Sequence, residues 1–475
     1  MFYLIFGFLS VLFLTFLFFY KFNNKFSQKF HIDLDKIMKI LVIVLISISF
    51  IEIFLPDAFS LRYIWDFNYL KENHDPFHAI IRAFNAMAVI TLPFAVFYKK
   101  ASFIKITSYI LLPAIFVNIV CYYQYIDYFT SDLTLQYATV FGDKLYPYLT
   151  NEVFRSIVFG LIMGLELIIA TYVLLFNLDS LKFKNKKEIS IFFALLAALF
   201  LSNMPIYTIQ QIIGGTTNIT FNFGDPMHFI FMGLIVIEGF ILTIIFKNQS
   251  YENKYILLLI MSISLMFQYN TFFKTDGVIT ATRYPLQLCN IAGAFLITTL
   301  LLKSQKMFHF TVVVNVTGAL IAIILCDSTK DVGFLYCMNI HYMVEHCNVL
   351  LVPLLGLILG VFEPLKKKDL KHFVVGFSIY YGVVLIIGTI LNGIANKTGN
   401  DYFTCNYLFM FQKEAAMRLV GDFAGKFFDI KLTLFNYYHL YLVQILVYIV
   451  FLLICTLIFF GLYVIFRRKK VYEAK

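Results

Sequence analysis

Apolar runs of about 20 residues alternate with short polar connectors from one end of the chain to the other. Such a run matches the length an α-helix needs to cross a hydrocarbon layer about 30 Å thick. Helices are required there because a lipid-embedded backbone must satisfy its own N–H and C=O groups. The pattern predicts about 13 transmembrane helices, near 2–20, 38–56, 77–98, 103–122, 153–176, 190–209, 228–247, 255–273, 283–302, 308–326, 341–362, 371–393 and 437–466. The fold class is therefore all-α, a polytopic helical membrane protein. The opening run "MFYLIFGFLSVLFLTFLFFY" has no basic leader and no small-residue cleavage site, so it reads as a retained first helix.

The connectors add orientation. Every second one is basic, among them "KKASFIK", "KFKNKK", "KNQSYENK", "KSQK", "KKKDLK" and the tail "RRKK". Those between are longer and poorer in Lys and Arg, with 394–436 the least clear. The positive-inside rule assigns the basic set to the cytoplasm, which predicts a multi-pass cell-membrane protein with its N-terminus outside and its C-terminus inside. A shift of six helices keeps this orientation and lays "DPFHAIIRAFNAMAVITL" over "YPLQLCNIAGAFLITTL". That suggests two parallel six-helix repeats after one extra helix, although any alternating bundle aligns with itself after an even shift. The expected division is an N-terminal helix and basic loop at 1–37, a first bundle at 38–254 and a second at 255–475.

Composition agrees with a membrane setting. The 475 residues are 60% hydrophobic and only 14% charged, against about a quarter charged in soluble domains. The net charge of +10 sits largely in connector lysines. Topology explains it, and no nucleic-acid partner is expected. The expected partners are membrane phospholipids.

Ionisable groups within a bilayer are costly and often mark function. The candidates are Glu52, His78, Arg82, Glu166, Glu238, Glu345 and His346. A lone carboxylate such as Glu52, Glu166 or Glu238 is most often an internal strut. The C-terminal half is denser. Cys289 lies about six residues into helix nine and His346 about five into helix eleven, both entering from the outside. At 1.5 Å per residue both sit roughly 8–9 Å below one boundary, and Asn392 near the end of helix twelve reaches a similar level. An imidazole can take a thiol's proton and return it to a leaving group. A carboxamide can orient the ring or hold an oxyanion. Against this stands the plain reading that buried cysteines act as small hydrophobes.

Cys121, Cys289, Cys326, Cys337, Cys347 and Cys405 fall on or near the outer side, and Cys455 lies within the last span. A disulfide such as Cys337–Cys405 is compatible with an exposed compartment. No spacing suggests a metal site, and no cofactor is expected. Cys347, about 100° around the helix from His346, ranks behind Cys289 as a nucleophile.

These residues resemble the YwaF-type integral membrane protein family, whose eukaryotic relatives include transmembrane protein 164. The family pattern is Leu-Pro-Leu-His-Leu-Cys at a helix start, a histidine two helices on, an Asn near a helix end and an Asn-Tyr pair. Pro285, Leu286, Leu288 and Cys289 fit the first motif; His346, Asn392 and Asn406–Tyr407 fit the rest, over roughly 255–466. Gln287 stands where the family has His, the segment "GIANKTGNDYFTC" separates Asn392 from the Asn-Tyr pair, and the N-terminal half is extra. In a degenerate first copy, Pro76, His78 and Ile80 would align with Pro285, Gln287 and Cys289, leaving that copy as scaffold or gate. The resemblance implies cysteine-dependent acyl transfer between phospholipids, with Cys289, His346 and Asn392 catalytic and Gln287, Asn406 and Tyr407 at the substrate.

Two other functions fit the span pattern. A secondary transporter is also built from two parallel six-helix halves, although the loops "LPDAFSLRYIWDFNYLKENHD" and "KTDGVITATR" lack the usual basic Gly/Asp/Arg motif. A non-catalytic structural membrane protein is the other, since fold alone does not fix function.

Overall fold

The computed structural model describes residues 2–30, 32–54, 84, 87–120, 152–203, 224–274, 281, 284, 286–324 and 337–467. Those residues are helical almost throughout, and one antiparallel hairpin is their β-structure. In chain order the helices are α1 (Phe2–Phe22), α2 (Asn24–Lys29), α3 (Leu34–Phe54), α4 (Ala88–Phe97), α5 (Ala101–Val120), α6 (Glu152–Phe176), α7 (Lys186–Asn203), α8 (Pro226–Phe246) and α9 (Tyr251–Lys274). They continue with α10 (Ala292–Leu301), α11 (Gln305–Ile324), α12 (Cys337–Ile358), α13 (Asp369–Thr398), α14 (Lys413–Val420) and α15 (Ala424–Phe428). Strands β1 (Lys431–Leu434) and β2 (Tyr438–Tyr441) then lead into α16 (Leu442–Phe466). Among the described residues, six helices are long and apolar enough to cross a membrane: α5, α6, α8, α11, α13 and α16. Shorter apolar helices include α4, α10 and stretches of α1 and α12. His78 and Arg82, and with them most of the first-repeat motif, lie outside the described residues, as does the Glu52 side chain.

The chain forms two compact units, residues 1–216 with 270–278, and residues 217–269 with 279–475. In the first, α1 and α6 run in the same direction. Gly164 lets Ser10 approach, so that an added Cβ would sit 3.0 Å from its hydroxyl, and the Lys21 ammonium lies 5.2 Å above the Phe176 ring. Lys105 is buried, its ammonium 2.7 Å from Glu188 and 5.0 Å from the centre of the Phe183 ring. Burial opposes the charge on Glu188, but bonds from Lys105 and the Lys184 N–H outweigh it and hold the carboxyl below its ordinary pKa. One π-helical turn, Thr107–Leu111, interrupts α5 just after this pair.

The second unit is built around α11, which is buried along most of its length and packs against α10, α12, α13 and α16. Outer helices such as α8 and α16 expose rows of large apolar side chains, including Val236, Phe240, Leu453 and Leu457. An apolar exterior of this kind needs lipid as its solvent. Local chemistry sets the ends. Pro226 starts α8 at a position where its missing N–H costs nothing. Gly399, at φ +66, stops α13 in the left-handed conformation glycine tolerates.

Two expectations change. The span expected at 283–302 is helical only over Ala292–Leu301, and residues 286–291 form turns. The last span starts at Leu442, not near 437, because Lys431–Tyr441 folds into the hairpin, paired Lys431↔Tyr441 through Leu434↔Tyr438.

Candidate thiol site

Cys289 lies in the turn that leads into α10, and the backbone there is held from three directions. The Tyr380 hydroxyl of α13 donates to the Leu286 carbonyl at 2.6 Å. Gln287 donates its amide to the Asn406 carbonyl at 2.9 Å, and its Oε1 accepts the Leu408 N–H at 2.8 Å. On the third side is Gly318 of α11, where a Cβ would lie 2.9 Å from Leu288 Cβ and 3.3 Å from the Cys289 nitrogen. Only glycine leaves room for this turn against α11.

The helix register sets His346 at the same level. Phe308 of α11 lies against Gly356 of α12, where a Cβ would meet its ring at 3.1 Å. The Tyr342 hydroxyl donates to the Ala322 carbonyl at 2.7 Å. Each step along α11 is thus matched by one back along α12, and His346 falls opposite Gly318. Thiol and imidazole therefore flank one level of α11, about 9 Å from its Ile324 end at 1.5 Å per residue.

The ring's protonation state follows from its partner. His346 Nδ1 lies 2.5 Å from the Tyr342 carbonyl, which can only accept, so Nδ1 carries the proton and donates. Nε2 then bears the lone pair. The Tyr342 ring packs against the imidazole at 4.2 Å between centroids, and His346 is buried. The Cys289 thiol donates to Asn290 Oδ1 at 3.2 Å and makes no hydrogen bond to His346. The Glu345 carboxyl and the Tyr380 hydroxyl lie within electrostatic range of the sulfur. The backbone N–H groups of Cys289 and Asn290 are directed at it.

The other expected site residues form a brace. Asn392 does not reach the thiol or the imidazole; it is about 18 Å farther along α13 than Tyr380 at 1.5 Å per residue. Its amide donates to the Gly388 carbonyl at 2.9 Å and the Cys405 carbonyl at 3.0 Å, and its Oδ1 accepts the Cys405 N–H at 3.1 Å. Asn406 Oδ1 accepts the Phe411 N–H at 3.0 Å, and the Tyr407 hydroxyl donates to the Ala281 carbonyl. Leu408 and Phe409 adopt φ of +53 and +61, a strained conformation for bulky residues that persists where surrounding bonds enforce it. Gln287 thus fastens this loop to the Cys289 turn, Asn392 fastens it to α13, Tyr407 ties it to Ala281, and Asn406 closes it on itself. Cys405 is a free, buried thiol whose sulfur accepts from Asn392 at 3.2 Å, which removes the Cys337–Cys405 disulfide. Cys347 is buried within electrostatic range of Glu238, in a cluster with Ile235 and Ile323, and Glu166 is buried in α6.

Sequence reasoning did not find Tyr380, Gly318 or the Tyr342 carbonyl. The first two are ordinary helix residues by pattern, and a backbone acceptor leaves no trace in side-chain identity. The model of the TMEM164 family matches residues 222–466, just over half of the 475-residue chain. The chain belongs to the TMEM164 family. The match begins earlier than the motif resemblance, takes in α8, and runs through to the end of α16. The whole Cys289–His346 arrangement and its bracing loop lie inside the TMEM164 region. No curated protein and no solved structure matches the chain.

Proposed function

We propose that this TMEM164-family membrane protein transfers or hydrolyses phospholipid acyl groups at the outer leaflet, with Cys289 as nucleophile and His346 as general base and acid. The supporting observation is the shared level of a braced thiol turn and an imidazole whose Nε2 is free to accept a proton. In the first half-reaction Nε2 takes the Cys289 proton and the sulfur attacks the ester carbonyl carbon. The tetrahedral intermediate collapses with cleavage of the C–O bond, and the imidazolium protonates the departing alkoxide. The products are a lysophospholipid and an acyl thioester on Cys289. In the second half, Nε2 deprotonates an acceptor hydroxyl, from another lysophospholipid or from water. That oxygen takes the acyl group, and the thiolate leaves and is reprotonated.

The N–H groups of Cys289 and Asn290, in the turn before α10, lie close to the sulfur and are suited to stabilise charge at the reacting centre. Ring orientation belongs to the Tyr342 carbonyl, and Gln287, Asn392, Asn406 and Tyr407 act as positioning residues. In reconstituted protein, Cys289→Ser and His346→Ala are expected to lose lysophospholipid formation from labelled phospholipid by at least 100-fold, on the scale of a lost nucleophile or base. Turnover by both variants at the parent rate would reject the reading.

A further inference from the structure

The end of the second unit away from the thiol gathers positive charge from two connectors. Lys303 and Lys306 lie either side of Gln305 where α11 begins, and Lys366, Lys367, Lys368 and Lys371 run from the α12–α13 connector into the first turn of α13; all are exposed. The two connectors are fastened together. Gln305 Oε1 accepts the Glu363 N–H at 3.0 Å, and its Nε2 donates to the Glu363 carbonyl at 2.8 Å. His309 Nδ1 of α11 meets the Asp369 carboxylate of α13 at 3.0 Å, and the same carboxylate accepts the Lys366 N–H at 2.8 Å. The fold thus gives these lysines one shared surface, about 20 Å along α11 from Gly318 at 1.5 Å per residue.

Little negative charge answers it. Glu363 is paired with Lys366 at 2.6 Å, and the Asp369 carboxylate is buried against His309. Lys303 lies over the Tyr255 ring at 5.6 Å, which leaves its charge unneutralised. Lys306, Lys367, Lys368 and Lys371 take part in no ion pair among the described residues. The surface also borders lipid. Leu301 and Leu302, 64% and 66% exposed, precede Lys303, and Val375 and Ile379 of α13 are exposed one and two turns past Lys371. Lys371 is about 6 Å along the helix from Val375, and a lysine stem can lie along apolar surface while its ammonium reaches water. The ammonium groups therefore stand at headgroup level, on the side that the positive-inside rule assigns to the cytoplasm. A topology signal needs only basic residues in a connector. Two connectors bonded into one unneutralised surface, at the edge of the apolar exterior, offer several cations to the phosphates of a single leaflet.

We infer that this surface binds anionic phospholipids of the leaflet at that end, with their phosphates among Lys306, Lys367, Lys368 and Lys371. The inference goes beyond acyl transfer and stands whether or not Cys289 reacts.

The test uses the full chain in phosphatidylcholine nanodiscs containing trace phosphatidylglycerol with a photoactivatable group on its headgroup. Label is expected on the peptides carrying Lys303–Phe308 and Glu363–His372, in excess of the equally lysine-rich connector 181–187. The triple variant Lys367→Gln, Lys368→Gln, Lys371→Gln is expected to lose at least tenfold of that label, since each lysine near a charged surface is worth about fivefold. Arginine at the same three positions keeps the charge and is expected to keep the label. The three side chains are exposed, so neither variant disturbs the packing. Excess inorganic phosphate at constant ionic strength is expected to leave the label in place. Parent-like label in the glutamine variant, or no excess over 181–187, would overturn the inference. So would displacement by inorganic phosphate, which would mark a site for soluble anions.

Discussion

Gly318→Ala tests whether the turn carrying Cys289 must sit where it does. The new methyl would lie 2.9 Å from Leu288 Cβ and 3.3 Å from the Cys289 nitrogen. Carbon atoms pack at about 3.5–4.0 Å, so the turn or α11 must give by roughly 0.6–1.1 Å. Overpacking of this kind costs about 1–3 kcal/mol. Replacing a mid-helix glycine by alanine returns about 1 kcal/mol in helix propensity, so the net loss of stability is about 0–2 kcal/mol. Catalysis is far more sensitive, since displacement of a reacting group by about 1 Å can cost 100-fold in rate. Initial rates of acyl release from labelled phospholipid in proteoliposomes, with a thermal-unfolding midpoint for the same preparation, separate the two effects. Gly318→Ala is expected to lose roughly 10- to 100-fold in rate with only a small shift in midpoint. Gly382→Ala in α13, where an added Cβ meets nothing within 4 Å, serves as the control and is expected to keep the parent's rate with a midpoint equal or slightly higher. Parent-like turnover by Gly318→Ala would refute the claim that backbone closeness at this level positions the thiol.

Asn392→Ala removes the bonds that tie Cys405 to α13 and is expected to destabilise the second unit by about 2–3 kcal/mol in a denaturant titration, whereas Cys289→Ser should leave stability nearly unchanged; equal effects would contradict the bracing role. Gln287→Glu keeps an acceptor for the Leu408 N–H but sets an oxygen against the Asn406 carbonyl. Proteolytic cleavage within 401–412 should therefore accelerate several-fold, the scale of one lost buried bond, and unchanged cleavage would count against it. Burial, and then the nearby Lys431, hold the His439 pKa below the ordinary imidazole value. The hairpin should therefore be fully stable above about pH 6.5 and weaken as the pH falls through the folded-state pKa, because protonation then favours the open form. Hydrogen exchange across Lys431–Tyr441 between pH 7 and 5, corrected for intrinsic rates, checks this; protection independent of pH would contradict it.

The apolar period carried most of the architecture. Runs at 103–122, 153–176, 228–247, 308–326 and 371–393 became α5, α6, α8, α11 and α13 with ends displaced by a few residues, because a lipid-embedded segment has few alternatives to helix. It failed at 283–302 and near 437 for a physical reason. Residues 286–291 are as apolar as a helix, but their backbone groups are met by Tyr380 and by their own turn, and hydrophobicity cannot distinguish those solutions. The strands of the hairpin are rich in Leu and Tyr and so extended the apolar run of α16. Cys289 and His346 could be paired by depth because both count from the same boundary, and the register through Gly318 retains that pairing. Asn392 was matched by its nearness to a helix end, but α13 continues to Thr398 and carries the carboxamide away from the thiol to the Cys405 loop.

The most direct measurement is the mass of the Cys289 peptide after purified protein is incubated with phospholipid of known acyl chain and quenched in acid. The account predicts a hydroxylamine-labile acyl adduct on Cys289, none on Cys347, Cys405 or Cys455, and loss of the adduct in His346→Ala. An unmodified Cys289 in protein that is turning over lipid would contradict it.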